Sequence, residues 1–352
     1  MKRVILGGGD VEVSGICLGT MTFGNQTSPA EGHAQIDRAL DAGITFLDTA
    51  EMYPVNPVRR ETIGLTETIV GNWLARGGKR DRVEIATKIT GPSQMVRDGA
   101  PYDGAIVAAA IDGSLKRLQT DRIDLYQLHW PVRGSYAFRQ NWTYDPSKQS
   151  KGQTLDHMAD VLGALSDAQK AGKIRAVGLS NESAWGLTRW CDVADRLDAP
   201  RMATIQNEYS LLHRLYDTDG AEAAVNEDVT LLSYSPLAAG LLSGKYSDGA
   251  LPEGSRAAVD KASGGLGNLG GRRTPQAVAA TEAYRKLAAD HGWDAIHMAI
   301  AWQLTRPFKV VPIIGATRIN QLDHLIAGLG KPLPDDLRKA LDRLHKQHPL
   351  PY

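Results

Sequence analysis

Apolar positions along the chain gather into eight short blocks separated by longer stretches with a helical repeat. The blocks are GICLGT (15–20), ITFLDTA (44–50), VEIATKI (83–89), IDLYQLHW (123–130), IRAVGLSN (174–181), MATIQNEY (202–209), VTLLSYSP (229–236) and FKVVPIIGA (308–316). Most are runs of Val, Ile and Leu, the pattern of parallel strands covered on both faces. Between them lie HAQIDRALDAG, TETIVGNWLARG, AIVAAAIDGSLKRL, LDHMADVLGALSDAQKAG and AVAATEAYRKLAADHG. These read as helices, and several stop at Gly, a normal C-terminal signal. In DDLRKALDRLHKQ, Leu337, Leu341 and Leu344 share one face, with acids first and bases last. That spacing and charge order predict a helix over about 334–347. At the start, RVILGGGDVEVS sets two β-prone runs around Gly-Gly-Gly-Asp and predicts a β-hairpin over 3–13. The triple glycine is not a dinucleotide fingerprint: the third glycine at the right offset is missing, and Val11 and Val13 continue as strand where a helix should open.

Eight strand–helix units in this order predict an α/β fold, a (β/α)8 TIM barrel with an N-terminal β-hairpin. A doubly wound sheet is the alternative, and the strand count is against it. No composition break marks a second domain, so residues 1–352 read as one barrel. Two connections are unusually long. One, roughly 131–153, carries Tyr136, Phe138, Trp142 and Tyr144; the other, roughly 237–273, includes SGGLGNLGG. Loops that follow barrel strands lie on the active face. Two readings of the aromatics stand side by side, a wall for an apolar substrate and a satellite cluster over the barrel. The glycine run reads equally as a lid hinge or a mobile linker.

Composition narrows the function. The chain is 42% apolar and carries no net charge at pH 7. That balance argues against broad electrostatic binding to nucleic acid or to an anionic membrane. Cys17 and Cys191 are the two cysteines, which is neither a disulfide framework nor a zinc pattern and suits a reducing compartment. The N-terminus lacks the apolar stretch of a signal peptide, and nothing approaches the ~20 apolar residues of a membrane helix. The expectation is a cytoplasmic protein; its oligomeric state is not written in these features.

Four polar residues sit at or just beyond predicted strand ends. Asp48 closes the second strand, Lys88 the third and His129 the fourth, while Tyr53 follows five residues after Asp48. In a parallel barrel these ends converge on one rim. A free tyrosine has a pKa of about 10, and an ammonium beside it favours the phenolate. The expectation is that Asp48 pairs with Lys88, that Lys88 lowers the pKa of Tyr53, and that a carbonyl oxygen sits between Tyr53 and His129. Hydride would then arrive at carbon while the phenol protonates oxygen. Taken singly, each residue has a plainer role as turn, surface charge, core histidine or packing; four together point to a site. Trp130, next to His129, is the candidate substrate wall.

The motifs that surround these residues are LGTMTFG (18–24), FLDTAEMY, GLTETIVGNWL, ATK, DLYQLHWP, GKIRAVGLSN, IQNEYSLL, SYSPLAAGLLSGKY and IIGATRINQL (313–322). With them the chain resembles the aldo-keto reductase superfamily over most of its length. It is most similar to the bacterial Tas-type branch, with the channel β-subunit branch as a near relative. The resemblance implies a (β/α)8 barrel, NADPH/NADP+ as cofactor, a small-molecule carbonyl substrate, and Asp48, Tyr53, Lys88 and His129 as catalytic tetrad with Tyr53 the general acid. It assigns Ser180, Asn181 and Gln206 to the nicotinamide carboxamide and Tyr234 to stacking on the ring. The backbone of Ser235, Leu237 and Ala239 goes to the pyrophosphate, with Lys245 and Arg256 on phosphates. Gly315, Thr317 and Gln321 go to the 2′-phosphate of the adenosine. Arg318 joins this set on charge alone. The chain departs from the family where Glu and Asn often follow Gln321 by three and four residues: here stand His324 and Leu325.

Two other classes compete. One is a cofactor-loaded regulatory or partner-binding barrel with little turnover, since fold does not fix function. The other is a metal-dependent hydrolase, which needs ligands clustered at strand ends. Of the histidines weighed, His33, His157, His213, His291 and His297 fall in helices or loops and only His129 ends a strand, so no metal is expected.

Overall fold

Two strands pair as a hairpin and eight more close on themselves. The computed structural model describes residues 1–352. Strands β1 (Arg3–Ile5) and β2 (Glu12–Ser14) are antiparallel, with Val4 opposite Val13. The barrel strands are β3 (Cys17–Gly19), β4 (Phe46–Asp48), β5 (Glu84–Ile89), β6 (Ile123–Leu128), β7 (Ile174–Ser180), β8 (Met202–Glu208), β9 (Thr230–Tyr234) and β10 (Val310–Ile314). They pair in chain order, all parallel, and β10 closes onto β3. Each lies inside the block read from the sequence, trimmed where Gly, Pro or an active-face loop ends the ladder.

Helices wrap the outside: α1 (Pro29–Asp41), α2 (Leu65–Leu74), α3 (Gly104–Leu118), α4 (Lys151–Lys170), α5 (Ala184–Leu197), α6 (Asp219–Asn226), α7 (Arg256–Ala262), α8 (Pro275–Asp290), α9 (Ala295–Gln303), α10 (Ile319–Ala327) and α11 (Asp335–His345). Their starts follow from side-chain caps. Ser28 accepts the Glu31 N–H at 3.2 Å, Asp103 the Ile106 N–H at 2.8 Å, and Thr274 the Ala277 N–H at 3.0 Å. Pro29 and Pro275 stand in the first turn, where a missing N–H costs nothing. Gly71 on α2 permits the close approach of α3, since a Cβ there would lie 2.3 Å from the Arg117 carbonyl oxygen. The predicted C-terminal helix is α11, with Leu337 and Leu341 buried.

The barrel interior has a dry end. Cys17, Phe46, Ala86, Leu125, Leu232 and Val311 point inward and pack with Leu6, Val11 and Val13 from the hairpin. The hairpin thus plugs the N-terminal mouth. Gly7 sits in its turn at φ 55°, where a Cβ would lie 2.9 Å from the Ala203 Cα. Its N–H donates to Thr230 Oγ1 at 3.0 Å, and Lys309 Nζ donates to its carbonyl at 3.0 Å. Burying a side chain such as Phe46 stabilises the fold by roughly 1.5–3 kcal/mol. No helix is long and apolar enough to cross a membrane.

Candidate active site

Side chains alternate along a strand, so the residue two beyond an inward one also points inward. Two residues after Phe46, Ala86 and Leu125 stand Asp48, Lys88 and Gln127. The C-terminal end of the barrel interior is therefore polar, and its groups bond one another. Lys88 Nζ donates to Asp48 Oδ2 at 2.7 Å, to the Thr49 carbonyl at 2.8 Å and to the Tyr53 hydroxyl at 3.4 Å. Gln206 Nε2 donates to Asp48 Oδ1 at 2.8 Å and Gln127 Nε2 to the same oxygen at 3.3 Å. Asp48, Lys88, Tyr53 and His129 are all buried. The Tyr53 and His129 rings meet edge to face at 5.8 Å, and Trp130 lies against His129 at 4.9 Å.

This is the predicted cluster, with one correction. The sequence reading expects Lys88 to bring the Tyr53 pKa down. Lys88 does pull that way, but burial outweighs it and Asp48 adds to burial, so the phenol stands above its ordinary value of 10.0. Tyr53 is thus a neutral O–H donor over the whole neutral range. Burial opposes the charge on Lys88, yet Asp48 and Tyr53 prevail and hold it protonated. Burial, helped by Lys88, pushes His129 well below its ordinary 6.5, so its imidazole is neutral. His129 Nδ1 is sealed off without a partner. Lys88 lies wholly behind the surface; it reaches the reacting region only through Tyr53.

Asp48, Tyr53 and His129 open on a cleft of about 1220 Å³. The same cleft is lined by Trp130 and by every cofactor candidate named from the sequence: Ser180, Asn181, Gln206, Tyr234, Ser235, Leu237, Ala239, Lys245, Arg256, Gly315, Thr317, Arg318 and Gln321. Asn181 is fixed between elements, its amide donating to the His129 carbonyl at 2.9 Å and accepting from the Tyr234 hydroxyl at 2.8 Å. Ser180 Oγ donates to the Gln206 carbonyl at 2.8 Å. After β9, Ser235, Ala238, Ala239 and Gly240 all adopt positive φ. Within this run the Ala238 and Gly240 N–H groups are spent on the Ser235 and Leu237 carbonyls at 2.8 and 2.9 Å, which leaves the Leu237 and Ala239 N–H groups as the donors an anion could use. Lys245 and Arg256 stand beside the run without a carboxylate partner. Burial, with Arg272 and Arg139 nearby, brings Arg256 down to about 10, and burial plus Arg256 lowers Lys245. Two cations that repel one another across a cleft suit a bound polyanion. These groups fit a nicotinamide dinucleotide: an aromatic face, fixed amides and a cationic phosphate cradle.

At the far end, Gln321 Oε1 already accepts from the Thr317 N–H at 3.0 Å and hydroxyl at 3.1 Å, leaving its amide N–H free for a ligand. His324 and Leu325, the two departures, do line the cleft. His324 Nε2 lies 3.2 Å from Asp294 Oδ2 and its ring stacks on His297 at 4.8 Å. Asp294 meanwhile caps α9 through the Ile296 and His297 N–H groups.

Several parts of the site escaped the sequence reading. Two buried ion pairs tether the long connections to the barrel rim. Arg272 clasps Glu208 with bonds of 2.6 and 2.7 Å, and Arg133 clasps Glu182 with two more, one of them 2.9 Å. Burial opposes the Glu208 charge, but Arg272, His213 and Arg139 together hold its carboxyl at about 2. Of the four loop aromatics, Phe138 and Tyr144 reach the cleft, and Phe138 meets Trp130 edge to face at 5.7 Å. Trp142 is 80% exposed and walls nothing.

A cationic cleft at the C-terminal mouth of a (β/α)8 barrel, with a buried Asp–Lys–Tyr–His cluster at its floor, is the architecture of an oxidoreductase. The chain belongs to the aldo/keto reductase family, whose model matches residues 15–346. It is 43% identical to Protein tas of Escherichia coli over 97% of this chain and 96% of that one. It is also 32% identical to the aldo-keto reductase YhdN of Bacillus subtilis, over 95% and 90% of the two chains. A third relative, the uncharacterized oxidoreductase YrpG of B. subtilis, is 30% identical over 97% and 95%.

Proposed function

We propose that this chain reduces aldehydes or ketones to alcohols with NADPH, and that Tyr53 donates the proton. The observation that carries the reading is the hydrogen-bonded chain Asp48–Lys88–Tyr53 ending beside neutral His129 at the cleft floor. The reduced nicotinamide, when bound, supplies the hydride. The protein does the rest. His129, uncharged, orients the carbonyl oxygen by hydrogen bonding without competing for its proton. Tyr53 gives its proton to that oxygen as negative charge develops there, and Lys88 stabilises the phenolate left behind. Asp48, anchored by Gln206 and Gln127, keeps Lys88 charged and immobile. General acid assistance of this kind is worth roughly 10²–10⁴ in rate.

NADPH is favoured over NADH by the cations that lack carboxylate partners. Lys245 and Arg256 line the cleft with the positive-φ loop, and Arg318 and the Gln321 amide, which line it too, would hold the adenosine 2′-phosphate. A dianionic phosphate on a guanidinium makes charge-assisted bonds that a ribose hydroxyl cannot. His324 and Leu325 offer the adenine a ring face and an apolar contact in place of the carboxylate and amide usual in the family.

The test is Tyr53→Phe assayed with NADPH and a panel of carbonyl compounds, alongside cofactor titration by fluorescence. Turnover should fall by about 10² or more while the NADPH Kd stays within about twofold of wild type. Retained turnover rejects Tyr53 as the acid. Tight NADPH binding in wild type with no carbonyl reduced would favour a cofactor-loaded binding protein instead.

A further inference from the structure

Three arginines bridge the two long connections and the barrel rim, and one of them has nothing to hold. Arg133 is clasped by Glu182 and Arg272 by Glu208. Arg139, half-buried and lining the same cleft, makes neither an ion pair nor a hydrogen bond to the protein. Glu208 is close enough to act on it, but both carboxylate oxygens of Glu208 are taken by Arg272, and Tyr352 donates to one of them at 3.1 Å.

Arg139 is nevertheless held in place. It packs across the mouth against the second connection, where a Cβ on Gly270 would lie 3.0 Å from its Nη2. Phe138 and Arg139 both adopt left-handed backbone, at φ 57° and 65°. Two consecutive non-glycine residues in that region cost of order 1–3 kcal/mol each, and strain of this kind gathers at ligand clamps. Burial and the adjacent Arg272 both work against its charge. An anion at this spot would relieve both.

The position relative to the chemistry is legible from the rings. Tyr53 meets His129, His129 meets Trp130 at 4.9 Å, Trp130 meets Phe138 at 5.7 Å, and Arg139 is the next residue. An aromatic wall thus runs from Tyr53 to Phe138, whose neighbour in the chain carries the unpartnered guanidinium into the same cleft. Lys245, Arg256 and Arg318 stand on the segments after β9 and β10; Arg139 comes from the connection after β6 with Phe138, and its guanidinium reaches close enough to Arg256 to lower that group's pKa.

We propose that Arg139 binds a carboxylate on the substrate, so that the preferred substrates are aldehydes or ketones bearing an acid group beyond an apolar spacer. The proposal rests on the reading of the cleft as a carbonyl reductase. The fork of the guanidinium would take both carboxylate oxygens, with Trp130 and Phe138 covering the spacer.

The experiment compares 4-carboxybenzaldehyde with 4-methylbenzaldehyde, using NADPH, in wild type, Arg139→Met and Arg139→Lys. Wild type should favour the carboxylated aldehyde in kcat/KM by about 10- to 100-fold, the scale of a hydrogen bond to a charged group. Arg139→Met should bring that ratio close to one, mostly through KM, and Arg139→Lys should recover part of it. The NADPH Kd should be the same in all three, which also reports that the variants are folded. A ratio that does not move between wild type and Arg139→Met overturns the proposal. So does an NADPH Kd that rises as the ratio falls, which would make Arg139 a clamp on the cofactor phosphates. Wild type that turns over the methyl compound without preference, or reduces other members of the carbonyl panel but neither benzaldehyde, sinks only the carboxylate, whereas wild type that reduces no member of the panel sinks the reductase reading together with it.

Discussion

The two ends of the barrel interior use the same strands for opposite purposes. At the closed end Phe46, Ala86 and Leu125 pack against the hairpin in a dry plug. One inward step further along the same strands, Asp48, Lys88 and Gln127 form a bonded polar layer under an open cleft. The distance between the two regimes is two residues, roughly 6–7 Å of strand. Stability and chemistry are therefore separable by position along a strand rather than by domain. The plug is built from apolar side chains, and the one hydroxyl bonded to its turn, Thr230, is matched by the Gly7 N–H. The upper layer tolerates a buried ammonium because Asp48, Thr49 and Tyr53 surround it.

Substitutions at the two ends should therefore fail in different ways. Lys88→Met leaves Asp48 buried without its cation and Tyr53 without the group that stabilises its phenolate. Single-turnover reduction should drop by about 10²–10⁴, and urea unfolding should show a loss of about 3–5 kcal/mol. Phe46→Ala at the plug should lose a similar 3–5 kcal/mol by opening a cavity, yet turnover per folded molecule should stay near wild type. If both variants lose activity equally at matched folded fraction, the division of labour is wrong. A smaller effect is expected at the loop tether. Glu208→Gln keeps the shape but weakens both bonds to Arg272, and should cost roughly 1.5–3 kcal/mol and loosen the connection over 237–273 to protease.

Acid should separate the ends further. The pKa of His129 is depressed in the folded state by burial and Lys88, and those of His157 and His213 mainly by burial. Their contribution to stability is complete above 6.5, where folded and unfolded forms are both neutral, and is lost as pH falls below it, because only the unfolded chain takes up the protons. Glu208 adds a second loss, its carboxyl being ionised in the fold down to about 2 and protonated in the unfolded chain below 4.5. Urea midpoints should fall from pH 8 to pH 6 and more steeply below 5; a midpoint indifferent to pH would contradict the buried neutral imidazoles. The smallest effect is at the hairpin. Thr230→Val removes the acceptor of the Gly7 N–H and should cost about 1 kcal/mol with no change in turnover.

Much of this architecture was legible in the chain, because parallel strands buried on both faces are simple apolar runs and barrel strands converge at one rim. That Asp48, Tyr53, Lys88 and His129 would gather could be read for the same reason: Asp48, Lys88 and His129 lie at the ends of their strands. What hid was whatever depends on distant pairing. Glu208 and Arg272 are 64 residues apart, and Arg133 and Glu182 are 49 apart, with no local pattern linking either pair. Gln127 could have been found, since it precedes His129 by two and shares parity with Leu125. The helix α7 lies unannounced in the connection over 237–273, where Ala257, Ala258 and Ala262 make no apolar stripe. The sign of the Tyr53 shift was misjudged because the weight of burial against one cation is set by the surroundings in three dimensions, which no spacing records.

The most direct test of the account is the pH profile of single-turnover carbonyl reduction with saturating NADPH. A buried neutral phenol donating the proton beside a neutral imidazole predicts a rate flat from about pH 6 to 9, falling only beyond the ordinary phenol value of 10.0, with that alkaline limb absent from the much slower Tyr53→Phe variant. A titration near neutrality would contradict it: one that vanishes in Tyr53→Phe would mean a phenol lowered by Lys88, and one that persists would mean another group, such as His129, changing charge.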